Sequence, residues 1–524
     1  MLPQVELFLA LGLTAIALVL HGVFLTHAGG FWRDEAGFLR ISTLPSMGEL
    51  WRMLTHGSSP VLVPAAIRTW SAAGLGETDL NLRLFGLCAG LVLLVCLWGA
   101  GWMIRRGCPL LSLVLVAAQA PMVRHVDSLR PYGLGGIFNV LTLALIWRAT
   151  KKASVANVVL AGLMALLSVQ CLYQNAFFVL AACCAGMGIC AVNRCWRDAV
   201  CLLLIGLVSA VSLIPYVGSI VRSQDWWILQ QVGFFFSEAW KGISRLTVFP
   251  PFWVAAMWII LGLLAVWAVA ARKASATEEE RGDKIFWAVT LVVGFLGYIA
   301  FLEISRLPTN AWHYTPLLIF SAVCLDALIA RAGRWARLAV IALAMATVIC
   351  AWPLGGPVIK QRQSNLDMIA ARLEAEAGPD DYIIMHPWYY CISFSRYYHG
   401  AAAWTTLPPL EDYTIHRYDQ LKTKLQQAHP VRPVQERIVA TLRGGHRVWV
   451  IGWLQTKPMP DPNPAPNNEW GWYDDPYLDI WASQTGYLLA NGSEHITTLP
   501  PVTKELVNPQ EDPPLILVTG WKGH

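Results

Sequence analysis

Two neighbouring carboxylates, Asp34 and Glu35, follow directly on an apolar segment at residues 7–23 and lie between Arg33 and Arg40. The two carboxylates repel each other while the guanidinium groups attract them, and such a setting is typical of acid/base or metal chemistry. The alternative is a solvated helix end whose charges only fix the topology of the chain.

Two further polar clusters lie beside apolar segments, one at residues 124–132 and one at residues 303–314. Ionisable groups at membrane depth are costly and are kept where they line a cavity. We therefore expect Asp127 and Asp34 to converge on one site. A polar turn explains residues 124–132 equally well, and a lone histidine is more often a structural residue than a ligand. The polar and aromatic residues of the clusters include Arg124, His125, Asp127, Arg130, Tyr132, Glu303, Arg306, Asn310, Trp312, His313 and Tyr314.

The composition indicates an integral membrane protein. Of the 524 residues, 56% are hydrophobic and only 14% are charged, against about 25% charged in soluble proteins. The net charge of +5 comes without a basic run that would follow phosphates, which excludes nucleic acid as a partner. None of the 12 cysteines has metal-ligand spacing, so we interpret them as small buried hydrophobes.

Eleven apolar runs approach or reach the length of about 20 residues that crosses a bilayer. Lys and Arg collect in alternate loops, which the positive-inside rule places in the cytoplasm. An odd number of spans then predicts a cytoplasmic N-terminus and an external segment after Leu354. No cleavage site follows the first run, so we expect it to be retained. The runs are residues 5–25, 82–103, 109–123, 132–148, 155–171, 175–192, 199–221, 251–271, 285–303, 314–330 and 337–355.

Two of the external segments are too long for plain connectors. Residues 42–73 alternate apolar and polar side chains at helical spacing, which predicts two amphipathic helices with a tight turn at residues 56–60. Residues 222–250 are rich in aromatic side chains, which predicts interfacial anchoring or, equally, packing against other helices.

From about Lys360 the composition becomes that of a soluble domain. Helical patterns alternate with short strand patterns, which predicts a small α/β sandwich with some parallel pairing. Residues 457–468, rich in Pro and Asn, indicate a loop. No Gly-rich phosphate motif follows a strand, so we expect no nucleotide site here. The helical patterns lie at residues 363–377 and 434–442, and the strand patterns at 382–385, 448–451 and 515–518.

Four short motifs resemble those of the membrane-embedded GT-C glycosyltransferases, in a family 39-like branch with bacterial protein O-mannosyltransferases and lipid A aminoarabinose transferases. They are the Asp34 and Glu35 pair after the first span, the amphipathic pair with its Ser-Pro turn, residues 127–132, and the Trp-His-Tyr entry to a late span at residues 312–314. The resemblance covers about the first 355 residues.

The resemblance implies a GT-C fold, that is, a polytopic α-helical membrane protein with about 11 transmembrane helices and a C-terminal soluble α/β domain. The implied domains are residues 1–355, with an amphipathic outer loop at about 31–80, and residues 356–524. Such an enzyme moves a sugar from a polyprenyl-phosphate donor to a lipid, glycan or protein acceptor. Asp34 would act as general base, and attack from the face opposite the phosphate would invert the anomeric centre.

Further roles follow from the resemblance. Asp127 and Glu35 join Asp34 as catalytic candidates, and cations should balance the charge that builds on the leaving phosphate. The sequence departs from the family at residues 56–60, His-Gly-Ser-Ser-Pro, where Lys or Arg commonly precedes a Pro-Pro-like turn. The phosphate-binding candidates are Arg130, Arg306, His313 and Arg33, the substrate-binding candidates are Tyr132, His56 and Tyr314, and the candidates for a divalent metal are Glu35 and His56.

A transporter or flippase for lipid-linked glycans is the alternative from another class, and it would place ionisable residues near the midplane and in both leaflets. An O-antigen ligase or polymerase typically has a large outer loop and no folded C-terminal domain. Because the polar clusters collect on one side, we expect an enzyme of the bacterial inner membrane with a periplasmic C-terminal domain.

Overall fold

The chain forms two compact units. We call them the membrane unit and the α/β unit. The sequence-based domains, 1–355 and 356–524, differ from these units mainly in the placement of residues 27–57 and 219–232. The membrane unit comprises Met1–Thr26, Ser58–Gly218 and Gly233–Lys360, and the α/β unit comprises His27–Gly57, Ser219–Val232 and Gln361–His524. The computed structural model describes residues 2–57, 59–227, 229, 235–270, 277–306, 309–330, 333–454 and 475–522.

The elements of the described residues run in chain order as follows. The helices are α1 (Leu2–His27), α2 (Arg33–Ser42), α3 (Met47–Met53), α4 (Leu62–Trp70), α5 (Asp79–Arg105), α6 (Leu110–Ser112), α7 (Ala120–Val126), α8 (Tyr132–Lys151), α9 (Val155–Cys171), α10 (Asn175–Val192), α11 (Trp196–Val211), α12 (Val217–Trp227), α13 (Phe236–Ser244), α14 (Pro251–Ala270), α15 (Glu278–Ser305), α16 (Thr315–Ile329), α17 (Arg334–Ile359), α18 (Leu366–Glu376), α19 (Tyr390–Tyr397), α20 (Tyr418–Leu425), α21 (Arg432–Arg443) and α22 (Asp475–Gly492). The strands are β1 (Tyr382–His386), β2 (Ala403–Thr406), β3 (Val448–Gly452), β4 (Ser493–Thr498) and β5 (Leu515–Trp521).

The membrane unit is a bundle of apolar helices. Across the described part of the chain, nine helices are long and apolar enough to cross a membrane, and α9 is a shorter apolar helix. Large apolar side chains such as Phe8, Trp102 and Phe252 point outward from the bundle, as expected for a surface that meets lipid. The chain is therefore a polytopic helical membrane protein with a C-terminal α/β domain, as the sequence predicts.

Ion pairs join helix ends at one end of the membrane unit. We call this the basic end, because Lys and Arg collect there. Arg337 at the start of α17 pairs with Glu6 of α1, with 2.7 Å between Nε and Oε1. Lys151 at the end of α8 pairs with Asp283 near the start of α15, with 2.6 Å between Nζ and Oδ1. These contacts place the start of α1 beside the start of α17, and the start of α15 beside the end of α8.

The segment between α5 and α8 is not one regular helix. It consists of α6, a π-helical turn at Leu113–Ala117, and α7. Gln119 has an extended backbone before α7, and its side-chain amide donates to the carbonyl of Val114 at 2.8 Å. Pro121 lies in the first turn of α7. Because proline lacks an N–H group and clashes with the preceding turn, the helix that reaches Ala117 is interrupted before Pro121.

This segment nevertheless crosses the whole membrane unit. Its first residues lie at the basic end, where Asp326 accepts a hydrogen bond from the backbone of Leu111 at 3.3 Å and one from Arg105 at 2.7 Å. Its last residues lie at the opposite end, where Arg124 donates to the carbonyl of Val358, near the end of α17, at 2.7 Å. The run at residues 109–123 thus reaches from one end of the membrane unit to the other, but it is not among the nine described helices that are long and apolar enough to cross a membrane, so its crossing stays a prediction.

The α/β unit is built on a five-stranded sheet with the order β2-β1-β3-β5-β4. β1 pairs in parallel with β2 and β3, and β5 pairs antiparallel with β3 and β4. All residues of β1 and β3 are buried, as is usual for central parallel strands. The carboxyl ends of β1, β2 and β3 share one edge, where residues 387–389 and 407–417 leave the sheet.

The sequence predicts the central elements of this sheet but misses its edges. The patterns predicted as helices and strands correspond to α18, β1, α21, β3 and β5, and the two amphipathic helices correspond to α3 and α4. β2 is only four residues long, and five of the six residues of β4 are exposed, so neither carries an apolar alternation. The predicted loop at residues 457–468 lies outside the described residues.

Candidate active site

Asp34 lies in the first turn of α2, together with Glu35. The partial positive charge of a helix N-terminus favours carboxylates at this place. The side chain of Asp34 is 18% exposed, whereas Glu35 is fully buried. Only Asp34 of this pair therefore presents its carboxylate where a substrate could meet it.

His416 is the histidine beside Asp34. Its Nε2 atom lies 3.6 Å from Oδ1 of Asp34. The imidazole stacks on Tyr418, with 5.7 Å between ring centroids and 15° between planes, and meets Trp388 edge-on at 6.2 Å. All three aromatic residues come from segments that follow the carboxyl ends of β1 and β2. In open α/β sheets this edge commonly carries the functional site.

Arg33 is held inside the α/β unit by a buried ion pair. Its NH1 atom lies 3.0 Å from Oε1 of Glu511, and its guanidinium lies 4.2 Å from the ring centroid of Tyr389. The other carboxylate oxygen of Glu511 accepts hydrogen bonds from Ser364 and Ser393, both at 3.0 Å. Burial raises the pKa of Glu511 to about 7, against the attraction of Arg33. Arg33 thus anchors α2, and its predicted phosphate contact stays a prediction.

His56, predicted to bind substrate, also belongs to the α/β unit. Its ring stacks on Trp226 at 5.1 Å, and its Nδ1 atom lies 4.0 Å from Oδ1 of Asp419. Burial lowers the pKa of His56, against the attraction of Asp419. Arg417 in turn binds both carboxylate oxygens of Asp419, at 2.9 and 2.7 Å. The turn that carries His56 is therefore tied to the same loop that carries His416.

Asp127 has very different surroundings within the membrane unit. Its side chain is 2% exposed, and its Oδ2 atom lies 2.7 Å from Nδ1 of His21 in α1. Two glycines of α5 make room for it, because a side chain at Gly86 would collide with the carbonyl of Asp127 and one at Gly90 with its carboxylate. Asp127 thus joins α1, α5 and the turn before α8. Since Asp127 and Asp34 belong to different units, their convergence on one site stays a prediction.

The second and third polar clusters of the sequence meet within the membrane unit. The ring of His125 lies 6.5 Å from that of Tyr132 and 6.1 Å from that of Trp312, both edge-on. His313, which follows Trp312 in the chain, accepts a hydrogen bond at Nδ1 from the backbone of Asn310 at 2.9 Å. Residues from α7, α8 and the entry to α16 therefore form one cluster at the end opposite the basic end.

The remaining candidates lie on neighbouring parts of this end. Arg130 is half-buried, and Arg306 is exposed at the C-terminal cap of α15 with a left-handed backbone. Tyr314 is buried, and its hydroxyl donates to Oγ1 of Thr309 at 2.9 Å. The phosphate and substrate roles of Arg130, Arg306, His313, Tyr132 and Tyr314 stay predictions.

An apolar cavity of about 440 Å³ lies among α13, α14, α15 and α16 of the membrane unit. Its wall is almost wholly apolar and includes Trp240, Trp258 and Phe295. Along α16, from Tyr314 to Leu325, the wall is formed by Tyr314, Leu317, Leu318, Ser321 and Leu325. That part of α16 is about 16 Å long. Trp240 comes from the aromatic segment at 222–250, where packing against other helices was one of the two expectations. The cavity can hold a chain of hydrocarbon.

The part of the chain that the structure describes contains no group of three or more His, Cys, Asp or Glu side chains arranged to hold a metal ion. Glu35 and His56, the candidates for such a site, thus belong to no such group there.

The sequence singled out Asp34, Glu35, Arg33 and His56 but missed His416 and Glu511. Both missed residues lie far along the chain, in segments whose composition is that of an ordinary soluble domain. Only the pairing of α2 with the sheet edge brings them to Asp34 and Arg33. The one signal in the sequence that could have indicated His416 is a histidine in a loop after an edge strand. Such histidines are common, so this signal is not specific.

The fold and site are those of a membrane protein with a polar site on an α/β sheet edge. The chain matches no family model, and no curated protein matches its sequence. Among solved structures it is similar to arabinosyltransferase EmbB from Mycobacterium smegmatis, with a TM-score of 0.38 and 15% identity over 61% of this chain and 30% of that chain. The chain thus spans less than a third of the length of that protein.

Two further matches are of more similar length. The archaeal oligosaccharyltransferase AglB from Archaeoglobus fulgidus, in complex with an inhibitory peptide and a dolichol-phosphate, has a TM-score of 0.42 and 11% identity over 83% of this chain and 69% of that chain. ArnT from Cupriavidus metallidurans in the apo state has a TM-score of 0.40 and 12% identity over 96% of this chain and 97% of that chain. At identities of 15% or less, the function of this chain rests on its own residues.

Proposed function

We propose that the chain is a glycosyltransferase that moves a sugar from a polyprenyl-phosphate donor to a lipid, glycan or protein acceptor on the outer face of the bacterial inner membrane. The observation that carries this proposal is the accessible carboxylate of Asp34, held at the start of α2 beside His416. Within the α/β unit, this carboxylate is partly exposed and has a neighbouring imidazole, and the helix N-terminus favours its ionised form, which can accept a proton.

In the proposed reaction, Asp34 takes the proton of an acceptor hydroxyl or amine as that atom attacks the anomeric carbon. The bond from this carbon to the phosphate oxygen breaks, and its electron pair leaves with the phosphate. Attack from the face opposite the phosphate inverts the anomeric centre. Arg130 and Arg306 are the cationic candidates for the charge that builds on the leaving phosphate, since preorganised cations are most effective there. His313, whose Nδ1 atom accepts a hydrogen bond from the backbone of Asn310, would donate to the phosphate through Nε2–H as a neutral ring.

The apolar cavity supports a donor that carries a long hydrocarbon chain. Its wall of Trp240, Trp258 and Phe295 offers almost no polar group to a ligand, so it suits the polyprenyl part and not a sugar. Because such a lipid holds its phosphate at the membrane surface, the enzyme requires no nucleotide site. A flippase of lipid-linked glycans is the alternative, and it would place ionisable residues near the midplane and in both leaflets.

Purified chain in liposomes tests the proposal directly. With undecaprenyl-phosphate-linked sugars as donors, release of undecaprenyl phosphate should depend on the chain and on Asp34. Asp34→Asn keeps the shape of the side chain but removes the base, so transfer should fall by at least about 100-fold. Mass spectrometry of lipids and glycans from a strain without the protein would then identify the sugar and its acceptor.

The matched control is Asp380→Asn, the same substitution at an exposed turn of the α/β unit. It should leave transfer within about twofold of the wild type, since surface changes away from special features have small effects. Asp34→Asn with nearly normal transfer would show that Asp34 is not the base. Wild-type chain that moved intact lipid-linked glycan across the bilayer without releasing undecaprenyl phosphate would favour the flippase.

A further inference from the structure

The loop that carries His416 is braced by its own side chains. Asp412 accepts hydrogen bonds from the backbone and the hydroxyl of Thr414, at 2.9 and 2.7 Å. Arg417 donates to the other carboxylate oxygen of Asp412 at 3.2 Å and also binds Asp419. These charge-assisted bonds lie on both sides of His416, so the backbone that presents His416 is fixed.

The imidazole ring itself is also fixed. It lies between Tyr418, on which it stacks, and Trp388, which meets it edge-on and is fully buried. Its Nδ1 atom faces α2, since a Cβ placed at Gly37 would lie 3.9 Å from it. Its Nε2 atom faces Oδ1 of Asp34 at 3.6 Å. Of the two ring nitrogens, Nε2 is therefore the one that can donate to the proposed base.

We propose that His416 is a positioning residue that holds the carboxylate of Asp34 through Nε2–H. The inference rests on the proposed function and deepens it, because it gives the C-terminal segment of the α/β unit, Gln361–His524, a part in the reaction. During transfer the acceptor proton goes to Asp34, and His416 neither gains nor loses a proton. The imidazole only fixes the orientation of the carboxylate, as the partners of catalytic bases commonly do. Such contacts commonly tighten when substrate binds.

Two amide substitutions separate this role from simple packing. The side-chain amide of Gln reaches the place of Nε2, whereas that of Asn reaches only the place of Nδ1. With the purified full chain in liposomes, His416→Asn should lower kcat by about 10- to 100-fold, the worth of one charge-assisted hydrogen bond. The KM for the undecaprenyl-phosphate-linked sugar should stay within about twofold. His416→Gln should recover most of kcat, because it still donates to Asp34.

The matched control is His446→Asn, at an exposed turn of the same unit, which should leave kcat unchanged. Thermal unfolding of each variant shows whether it is folded. Wild-type kcat in His416→Asn would overturn the inference, and so would an equal loss of kcat in folded His416→Asn and His416→Gln, which indicates packing. Either result leaves the proposed function standing if Asp34→Asn is inactive. If the wild-type chain transferred no sugar, the proposed function would be wrong, and the role inferred for His416 would be wrong as well.

Discussion

At the scale of single residues, surroundings decide what a carboxylate can do. Asp34 and Asp127 both follow apolar segments and both have a histidine neighbour. Asp34 is 18% exposed at a helix N-terminus, and its proposed role as the base rests on this exposure. Asp127 is closed in by His21 and two glycines, which is typical of a residue that joins helices. The sequence indicates Asp34 and Asp127 equally as catalytic candidates. It cannot separate them, because burial depends on packing partners that no local pattern shows.

Glu511 allows a prediction on pH. Its carboxyl is fully buried beside Arg33, and burial raises its pKa from 4.5 to about 7. A native pKa above the unfolded value means that the native state holds the proton more tightly. This contribution to stability is therefore complete below about pH 4.5 and is lost as the pH rises through 7, by at most about 1.4 kcal/mol per pH unit.

The comparison with Glu511→Gln isolates this effect, since glutamine does not titrate. The unfolding temperature of the wild type should fall, relative to that of the variant, as the pH rises from 5 to 8. Scanning calorimetry of both proteins in the same detergent measures the difference. If the unfolding temperature of the wild type instead stayed constant relative to that of the variant, or rose relative to it, Arg33 would be keeping the pKa of Glu511 low.

At the scale of elements, the sequence predicts what is local and periodic. The apolar runs give the spans, and buried apolar runs give β1, β3 and β5. The edge strands β2 and β4 lack such patterns because β2 is only four residues long and five of the six residues of β4 are exposed. The contact of α2 with the sheet edge is also unpredictable from pattern, since it depends on which surfaces pack together. That contact brings His416 to Asp34.

The interrupted segment between α5 and α8 depends on Asp326 at the basic end. Asp326 is 4% exposed and accepts hydrogen bonds from Arg105, the backbone of Leu111 and the hydroxyl of Ser112. Asp326→Asn keeps an acceptor for Leu111 but leaves the half-buried guanidinium of Arg105 without its counter-charge. We expect a loss of about 3 kcal/mol in the free energy of unfolding.

Adding Arg105→Met should recover most of that stability, because an apolar side chain needs no counter-charge. Thermal unfolding of the purified single and double variants in detergent tests this. If the double variant were less stable than Asp326→Asn alone, Arg105 would contribute through a contact other than this ion pair.

At the scale of the whole molecule, the number of crossings fixes the side of every loop. With the shorter helix α9 and the segment at 110–126 both counted as spans, eight crossings separate Arg40 from Glu303, and two more separate Glu303 from Asp380. An even number of crossings returns the chain to the same side. All three positions should therefore be exposed on one side of the membrane, whereas the loops at the basic end should be on the other.

Labelling of whole cells with a membrane-impermeant maleimide tests this arrangement. In a background that keeps only Cys195, an exposed cysteine at the basic end, the introduced Arg40→Cys, Glu303→Cys and Asp380→Cys should each react. Cys195 and Lys152→Cys should react only after the membrane is opened, because the positive-inside rule places the basic end in the cytoplasm. If residues 110–126 did not cross, Arg40→Cys and Glu303→Cys would react from opposite sides. Asp34 and Arg306 would then lie across the membrane from each other, and the proposed reaction could not use both.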